Sequence, residues 1–328
     1  MEKVKKIILQ QMNHLWRKSL ALLVGTVVSC FLVIGIQSYT TAQEPGLTLE
    51  TSLLTLEQVG DNVYALISDT DYPPANENIA ICNAGIIIGD DGVLIIDPFQ
   101  NEALGNLLLS EVAKLTDLPV KYVLNTHYHF DHTGGNKAIQ AQEIPIIGRG
   151  TIREDMLVKN QESDPTPAVP NIIIDDDSTI WLGDRVIELE EVAGHSGGTD
   201  VVAYIPDAKV LFAGDILFNQ KFPYTADGDI LKWEATLDYL SEKYSDATIV
   251  PGHGTTGDRY SLESLKGYLY ELELMARKWQ ELGLSEAEAL ESAAEIPEAY
   301  QDYRFQGLYP INLKTAYEQI TLKSSSNP

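Results

Sequence analysis

Five of the six histidines in this 328-residue chain stand in three short loops, each following an apolar segment of the sequence. The first loop brings three histidines and one aspartate together within six residues: His127, His129, Asp131 and His132. The other two loops have the sequences Gly-His-Ser and Gly-His-Gly and contain His195 and His253. Imidazole and carboxylate groups without a thiolate form a ligand set that suits zinc. The pattern therefore predicts a metal site made of histidine and aspartate.

Asp215 adds a further carboxylate, in an Ala-Gly-Asp loop expected after the apolar run 210–212. Side chains that follow the strands of an α/β protein meet at the carboxyl ends of those strands, where such proteins bind ligands. In an extended loop His127 and His129 point the same way and can chelate one ion. Asp131 and His132 are sequence neighbours and can serve a second ion nearby. Five histidines with two aspartates are too many ligands for one tetrahedral ion, which predicts two ions.

The segments that must position these loops alternate between strand and helix patterns. Strands are predicted at 63–67, 84–88, 92–96, 120–124, 172–174, 185–189, 201–204 and 210–212. Helical periodicity covers 101–115, 230–244, 261–282, 285–294 and 312–320. This alternation predicts an α/β fold in which helices cover the faces of the sheets.

The combined pattern resembles the metallo-β-lactamase superfamily. The resemblance is carried by the His-x-His-x-Asp-His motif at 127–132, by the later ligands in their order, and by the Ile-Ile-Asp-Pro segment at 95–98. It covers about residues 58–256. It implies an αβ/βα four-layer sandwich, with two mixed β-sheets face to face, helices outside and the metals at one edge.

The resemblance also implies a role for each candidate ligand. By the resemblance, one zinc ion would be held by His127, His129 and His195. The other would be held by Asp131, His132 and His253, and Asp215 would bridge the two ions. Asp97 would stand behind the metal ligands and hold a ligand loop. These roles await the geometry of the folded chain.

The function implied by the resemblance is hydrolysis with two zinc ions per chain, iron or manganese being the alternative metals. Two such ions activate a water molecule near neutral pH and polarise the group that it attacks. The expected substrate is a small molecule with a carbonyl centre, such as an ester, a lactone, a thioester or an amide of the β-lactam type. Asp131 is predicted to be catalytic, taking up a proton and returning it to the leaving group.

Two other activities of the same fold stay open. One is a two-iron redox protein, although that branch usually has glutamate at the position of His129 and a flavin domain after the body. The other is a phospho- or sulfoester hydrolase. The best-known zinc β-lactamases place cysteine where this chain has Asp215, so β-lactam hydrolysis is one substrate option among several.

Neither Ser196 nor Cys82 has the sequence surroundings of a nucleophile. Ser196 fits the pattern Gly-x-Ser-x-Gly, but that motif needs a helix after the serine, and here a predicted strand begins at 201. Cys82 has no base signal beside it and is the one cysteine after the N-terminal apolar segment. A disulfide within the body and a thiolate metal cage are therefore excluded.

Three residues that follow Asp215 are predicted to contact the substrate. Lys221 could hold a substrate carboxylate, and Asn219 and Tyr224 could assist the oxyanion that develops during the reaction. This segment, with its later aromatic–proline pair, is similar to the exported, SoxH-like zinc hydrolases of the superfamily.

The charge of the chain disfavours nucleic acid as a partner. The sequence has 23 Lys and Arg against 48 Asp and Glu, a formal net charge of −25. Proteins bind phosphate backbones by neutralising them with Lys and Arg. We therefore expect a small-molecule substrate and no nucleic-acid partner, with the acidity serving solubility.

The first 42 residues are predicted to be a signal peptide or an N-terminal membrane anchor. A basic stretch precedes seventeen uncharged residues, 20–36, and small residues before Gln43 predict cleavage after Ala42. Residues 43–57 would form a linker or the start of the mature chain. The hydrolase domain with its C-terminal helices would follow at 58–322, and a frayed tail at 323–328. The domain is expected outside the cytoplasm, periplasmic or secreted after cleavage, or anchored to the membrane through residues 20–36 if the segment is retained.

Overall fold

Two β-sheets form the centre of the protein in a computed structural model that describes residues 46–321. The first sheet has seven strands in sequential order: β1 (Leu54–Gly60), β2 (Val63–Ser68), β3 (Ala84–Ile88), β4 (Val93–Ile96), β5 (Val120–Leu124), β6 (Ile146–Arg149) and β7 (Ile172–Ile174). The second sheet has five strands: β8 (Ser178–Leu182), β9 (Arg185–Glu191), β10 (Val201–Ile205), β11 (Val210–Phe218) and β12 (Thr248–His253).

Both sheets are mixed. Strands β1 to β4 run antiparallel to their neighbours, whereas β4 to β7 run parallel. In the second sheet the order is β12-β11-β10-β9-β8, and the β11–β12 pair is parallel while the others are antiparallel. Parallel pairing at β4–β5 and at β11–β12 brings the carboxyl ends of successive strands to the same edge, which is where the predicted ligands follow them.

Eight α-helices are present among residues 46–321: α1 (Glu102–Leu115), α2 (Phe130–Thr133), α3 (Asn136–Ala141), α4 (Ile152–Lys159), α5 (Ile230–Lys243), α6 (Arg259–Leu282), α7 (Glu286–Ser292) and α8 (Tyr309–Ala316). Two short 3₁₀ segments, Glu298–Tyr300 and Gln306–Leu308, precede α8, and a π-helical turn, Tyr317–Thr321, follows it. Side-chain caps support the longer helices. Asn101 accepts a hydrogen bond from the N–H of Leu104 at the start of α1, and Ser285 and Glu288 form a capping box at α7.

Three apolar clusters show the order of the layers. The first fills the space between the sheets, with Ile87 and Leu94 of the first sheet against Ala203 and Phe212 of the second. The next packs α1 on the outer face of the first sheet. The last packs α5, α6 and α8 outside the second sheet, around the fully buried Trp233. The predicted four-layer αβ/βα sandwich is confirmed, because both sheets are covered by helices on their outer faces.

The predicted strand 210–212 was too short, and the loop expected after it does not exist. Strand β11 continues to Phe218, so Asp215 stands inside a strand. Its pairing with β12 shifts register on either side of Gly214, which has a φ of +50°. This irregularity, which a short apolar run does not reveal, turns the Asp215 carboxylate toward the sheet edge. Strands β1, β6 and β8 and helices α2 to α4 were also missed.

The predicted leader 1–42, with its apolar segment 20–36, and the predicted tail 323–328 lie outside the described residues. Within residues 46–321, no helix combines the length and apolar character needed to cross a membrane. Strand β1 begins at Leu54, inside the stretch 43–57 that was expected to lead into the domain. The domain boundaries stay predictions.

Candidate metal centre

The seven predicted ligands meet at one edge of the two sheets. They form two groups, one of His127, His129, His195 and Asp215, and one of Asp131, His132 and His253. Within each group, one nitrogen or oxygen of every side chain lies within 4.8 Å of the corresponding atoms of the others. The loops after β5 and β9, the short helix α2 with Asp131 and His132, and the strands β11 and β12 supply these side chains, so the segments that follow the strands converge as the sequence predicted.

Asp215 lies between the two groups. Its Oδ2 is 3.6 Å from Nε2 of His127 and 3.5 Å from Nε2 of His195, and its Oδ1 is 3.0 Å from Nε2 of His132. Nε2 of His253 is 3.3 Å from Oδ2. One carboxylate therefore touches both groups, which is the arrangement that a bridging ligand requires.

Unpartnered ring nitrogens show that the centre is built for cations. His127 and His195 are fully buried, yet Nε2 of each has no hydrogen-bond partner. Buried polar atoms in folded proteins are almost always paired, because leaving one unpaired costs about 1–3 kcal/mol. Both nitrogens aim at the point that Asp215 also faces. Bound metal ions would satisfy these atoms, so the residues present fit the metals that the sequence pattern implies.

Three other ring nitrogens of the ligands are held by groups behind the centre. Nδ1 of His253 donates to the carbonyl of Ile81 at 3.1 Å, and Nε2 of His129 lies 3.1 Å from Oδ2 of Asp227. Nδ1 of His127 lies 3.1 Å from Oγ1 of Thr126. Such partners fix the orientation of an imidazole and leave its other nitrogen free for a metal.

Asp97 stands where the resemblance implied, behind the ligand loop. Its Oδ1 accepts the backbone N–H of Thr126 at 2.8 Å, and its Oδ2 accepts the Thr126 hydroxyl at 2.7 Å. The same Oδ2 is 2.9 Å from Nδ1 of His132. One buried carboxylate thus positions both the start of the 127–132 loop and one of its imidazoles.

Asp227 and Asp200 were missed by the sequence analysis. Asp227 accepts a short hydrogen bond from the Tyr128 hydroxyl and contacts His129, so it supports two residues of the first loop. Asp200 accepts the backbone N–H groups of His195 and Ser196 at 3.2 and 2.8 Å. Asp227 lies 98 positions from His129, and no local pattern marks such a partner.

The electrostatics of the centre favour metal-binding protonation states at two of the ligands. Burial, helped by neighbouring imidazoles, holds the pKa of His127 well below its usual range, so the ring is neutral with a free lone pair. Burial opposes ionisation of Asp215, but the imidazoles of His132, His253 and His127 outweigh it and hold its pKa well below the usual range. Burial opposes ionisation of His132, but Asp215 together with Cys82, Asp131 and Asp97 outweighs it and raises the pKa of that ring well above its usual range.

A cavity of about 290 Å³ opens directly on the centre. His129, Asp131, Asp215 and His253 contribute to its floor. Its walls are mainly aromatic and aliphatic: Tyr72, Ile81, Tyr128, Phe130, Phe218, Tyr224, Phe305, Leu308 and Ile311. A substrate in this cavity would lie against the metal ligands on one side and apolar groups on the others.

The predicted substrate contacts divide between the cavity and the outside. Tyr224 lines the cavity, with its ring centre 5.5 Å from that of His129. Lys221 and Asn219 do not line it. Nζ of Lys221 donates to the carbonyl of Thr70 at 3.0 Å, and Nδ2 of Asn219 donates to the carbonyl of Thr255 at 2.9 Å. These two hydrogen bonds hold Lys221 and Asn219 outside the cavity, although Phe218 before them and Tyr224 after them line it, so their expected position was wrong.

Neither of the two nucleophile candidates weighed in the sequence is activated. Oγ of Ser196 is buried and 2.7 Å from Oγ1 of Thr199, and β10 follows in place of a helix. Burial raises the pKa of the Cys82 thiol to about 12 although His132 lies beside it, and its Sγ donates to the carbonyl of Asp131. Neither side chain is therefore placed as a nucleophile.

Gly252 lets strand β12 approach Asp215. A Cβ atom at this position would collide with Oδ1 of Asp215 and would crowd the backbone of Gly214. His253 follows directly, so the absence of a side chain at 252 allows a ligand of one group to lie beside the shared carboxylate.

The family model and similar known proteins identify the same family. Residues 79–253 match the model of the metallo-beta-lactamase superfamily. A metallo-beta-lactamase type 2 from Bacteroides fragilis is 24% identical over 217 residues, which are 65% of this chain and 84% of that protein. The acyl-coenzyme A thioesterase MBLAC2 of Homo sapiens is 28% identical over 154 residues, 40% of this chain and 55% of that protein.

A solved structure shows the same architecture. The metallo-beta-lactamase from Pontibacter korlensis superposes with a TM-score of 0.58 and 25% identity, covering 66% of this chain and 99% of that one. The matched region of the family model contains all seven ligands and ends at His253.

Proposed function

Because the chain belongs to the metallo-beta-lactamase superfamily and is a metal-dependent hydrolase, we propose that it uses two zinc ions to hydrolyse a small ester, lactone, thioester or amide. The observation that carries the proposal is the pair of ligand groups joined by Asp215, with the buried Nε2 atoms of His127 and His195 free of protein partners. The nitrogen and oxygen ligand set without thiolate supports zinc over softer metals.

Two bound zinc ions would supply a water of lowered pKa and a Lewis acid for the substrate oxygen. The side chains of the protein must then orient the substrate and move protons. Asp131 lines the cavity, and its Oδ2 lies 3.4 Å from Nε2 of His253. This carboxylate can hold a proton and pass it to the alcohol, thiol or amine that leaves.

Tyr224 can donate a hydrogen bond to the substrate oxygen. Burial and the nearby Asp227 raise the pKa of its hydroxyl, so the proton stays on the oxygen at neutral pH. The apolar walls around Phe218 and Phe305 exclude water from the reacting carbonyl, which strengthens such a hydrogen bond.

The test is a substrate panel on the full chain loaded with zinc. It contains an ester, a lactone, a thioester, a cephalosporin, a phosphodiester and a sulfate ester, with bound metal measured by mass spectrometry. We expect about two zinc ions per chain and turnover of a carbonyl substrate that chelator removes and zinc restores. Stoichiometric iron with visible absorption would favour the two-iron redox alternative. Turnover confined to the phosphodiester or the sulfate ester would move the enzyme to the other hydrolase class.

We also propose that the hydrolase acts outside the cytoplasm, on the strength of the basic stretch followed by the uncharged run 20–36. Fractionation of cells that produce the full chain, with sequencing of the N-terminus, tests this. A mature chain that starts at Gln43 means cleavage, and an intact chain in the membrane fraction means a retained anchor. An intact chain in the cytosol would refute export.

A further inference from the structure

One wall of the cavity comes from parts of the chain outside the region that matches the family. Phe305, Leu308 and Ile311 contribute from the segment after His253, and Tyr72 contributes from before residue 79. The metal ligands all lie within the matched region. The family model therefore covers the metal ligands at the floor of the cavity and leaves this wall outside it.

Contacts within the protein hold the wall in place. Phe305 has a φ of +61°, in the left-handed region that aromatic residues rarely adopt. Its backbone N–H donates to Oδ1 of Asp71 at 2.8 Å, and its ring centre lies 5.3 Å from that of His253. The Nζ of Lys221 stands 4.4 Å from the centre of the same ring. Strained backbone that its surroundings hold in this way is typical of ligand clamps.

The cavity offers little to a negatively charged group. Among the described residues that line it, Lys159 is the one lysine or arginine. Its Nζ is 3.0 Å from Oδ1 of Asp155 and 4.4 Å from the centre of the Tyr128 ring, so its charge is already balanced. Asp227 adds a carboxylate to the same lining. Apart from the metal ions proposed at the floor, a substrate carboxylate would lose water here without gaining a free cationic partner, which is costly.

The volume limits the size of the group that fits. A cavity of about 290 Å³ lies at the lower end of the range for ligand pockets. At about 30 Å³ for each water-sized unit, it holds roughly ten heavy atoms. Part of that space is taken by the carbonyl centre and the attacking water at the floor.

We propose that the preferred substrates are uncharged carbonyl compounds that carry an apolar alkyl or aryl group of up to about eight heavy atoms, seated against Tyr72, Phe305, Leu308 and Ile311. This inference rests on the proposed hydrolase function and names its substrate class. In the reaction, the oxygen of water bonds to the carbonyl carbon and the bond to the alcohol or thiol breaks. The leaving group takes a proton, and the carboxylic acid departs.

Two series of esters test the proposal with the zinc-loaded full chain. In the first the acyl chain grows from two to twelve carbons with one fixed alcohol, and in the second the alcohol grows with acetate fixed. We expect kcat/KM to rise about three- to fourfold for each methylene in one series, since each buried methylene contributes a fixed increment, and to level off near eight carbons. The series that responds identifies which side of the substrate enters the cavity. A flat response in both series would overturn the proposal.

A charged analogue sharpens the test. An ester whose chain ends in a carboxylate, matched in length to the best neutral ester, is expected to react at least about tenfold more slowly. Preference for the carboxylate-ended ester, lost in Lys159→Ala, would show an anion site in place of an apolar one.

Variants of the wall link the preference to the structure. Ile311→Ala enlarges the cavity and should move the optimum toward longer chains, while Ile311→Trp should move it toward shorter chains. Lys314→Ala, an exposed position on the same helix α8, serves as the matched control. If the optimum stays fixed in both Ile311 variants while they remain folded, the assignment of this wall is wrong.

A binding measurement separates this inference from the proposed function. Calorimetry of the metal-free protein with 4-phenylbutan-2-one should show binding with a negative heat-capacity change, and 4-phenylbutanoate should bind at least about tenfold more weakly. If no carbonyl ester is hydrolysed but the ketone binds, the hydrolase proposal fails and the apolar pocket stands. If esters are hydrolysed and the ketone does not bind, the pocket assignment fails alone.

Discussion

The metal centre and the apolar wall of the cavity are built in different ways. The ligands of the centre come from the segments that follow β5 and β9 and from strands β11 and β12, and three of its imidazoles are oriented by hydrogen bonds to Asp97, Asp227 and the carbonyl of Ile81. The wall is assembled from two distant segments around Tyr72 and Phe305, joined by side-chain contacts. The difference suggests that the chemistry of the enzyme depends on the sheets, whereas its choice of substrate depends on how the later segments pack.

Removing the shared carboxylate should have the largest effect. Asp215→Ala takes a ligand from both groups, and we expect kcat/KM to fall about a thousandfold or more, since metals supply several kcal/mol of transition-state stabilisation. Metal content and kcat/KM are the measurements. Asp246→Ala, an exposed aspartate paired with Lys209, is the control and should match the parent. If Asp215→Ala stayed fully active with two bound metals, the assignment of the chemistry to the centre and of substrate choice to the wall would be wrong.

The support behind His129 should matter less than a ligand but remain measurable. Asp227→Ala removes the partner of Nε2, and we expect zinc affinity to fall about ten- to a hundredfold, as for other groups that orient metal ligands. Competition with a chromophoric chelator measures the affinity. Tyr128→Phe, which leaves the Asp227 carboxylate in place, should lose less zinc affinity. Equal losses in both variants would mean that the hydroxyl, and not the carboxylate, orients the ring.

The lysine beneath the wall provides a test by pH. Burial lowers the pKa of Lys221 to about 8 from an unfolded value near 10.5. Its charged form therefore destabilises the fold below pH 8, and this cost disappears as the pH rises from about 8 to 10.5. Lys221→Met should raise the free energy of unfolding at pH 7 by about 1–2 kcal/mol and flatten its rise above pH 8. Denaturant unfolding at pH 7 and pH 10 measures both, and an unchanged pH dependence would contradict the assignment.

A carboxylate far from both regions should give the smallest effect. Burial and the neighbouring Glu273 raise the pKa of Glu234 to about 7, and its Oε1 has no partner. Since the folded pKa lies above the unfolded one, ionisation lowers stability progressively from about pH 4.5 to pH 7. Glu234→Gln should therefore gain up to about 1 kcal/mol above pH 7 and nothing below pH 4.5, a modest figure because half of the side chain stays in water. Catalysis should not change.

The sequence predicted the centre well because its signals are local. Three ligands within six residues and two glycine-flanked histidines need no knowledge of the fold, and the apolar strands before them place them at one edge. The fold class followed from the alternation of strand and helix patterns along the chain. Lys221 and Asn219 were misplaced because their hydrogen bonds to the carbonyls of Thr70 and Thr255, which arise from tertiary packing, hold them outside the cavity.

The cavity wall could not be predicted for a different reason. Asp227 and Phe305 act through partners far away in the chain, and a left-handed aromatic residue leaves no pattern in the sequence. The contacts of Phe305 with Asp71 and His253 arise when three segments pack together. The roles of such side chains are evident from the folded structure and not from the sequence.

The bare backbone at Gly252 has a consequence for how this catalyst could be lost. A single methyl group there would push the Asp215 carboxylate aside and press on the backbone of Gly214 and Asp215 in the neighbouring strand. Alanine at 252 should therefore yield a protein that holds its cations weakly. In this fold, one added carbon atom at position 252 is therefore enough to disturb the metal centre.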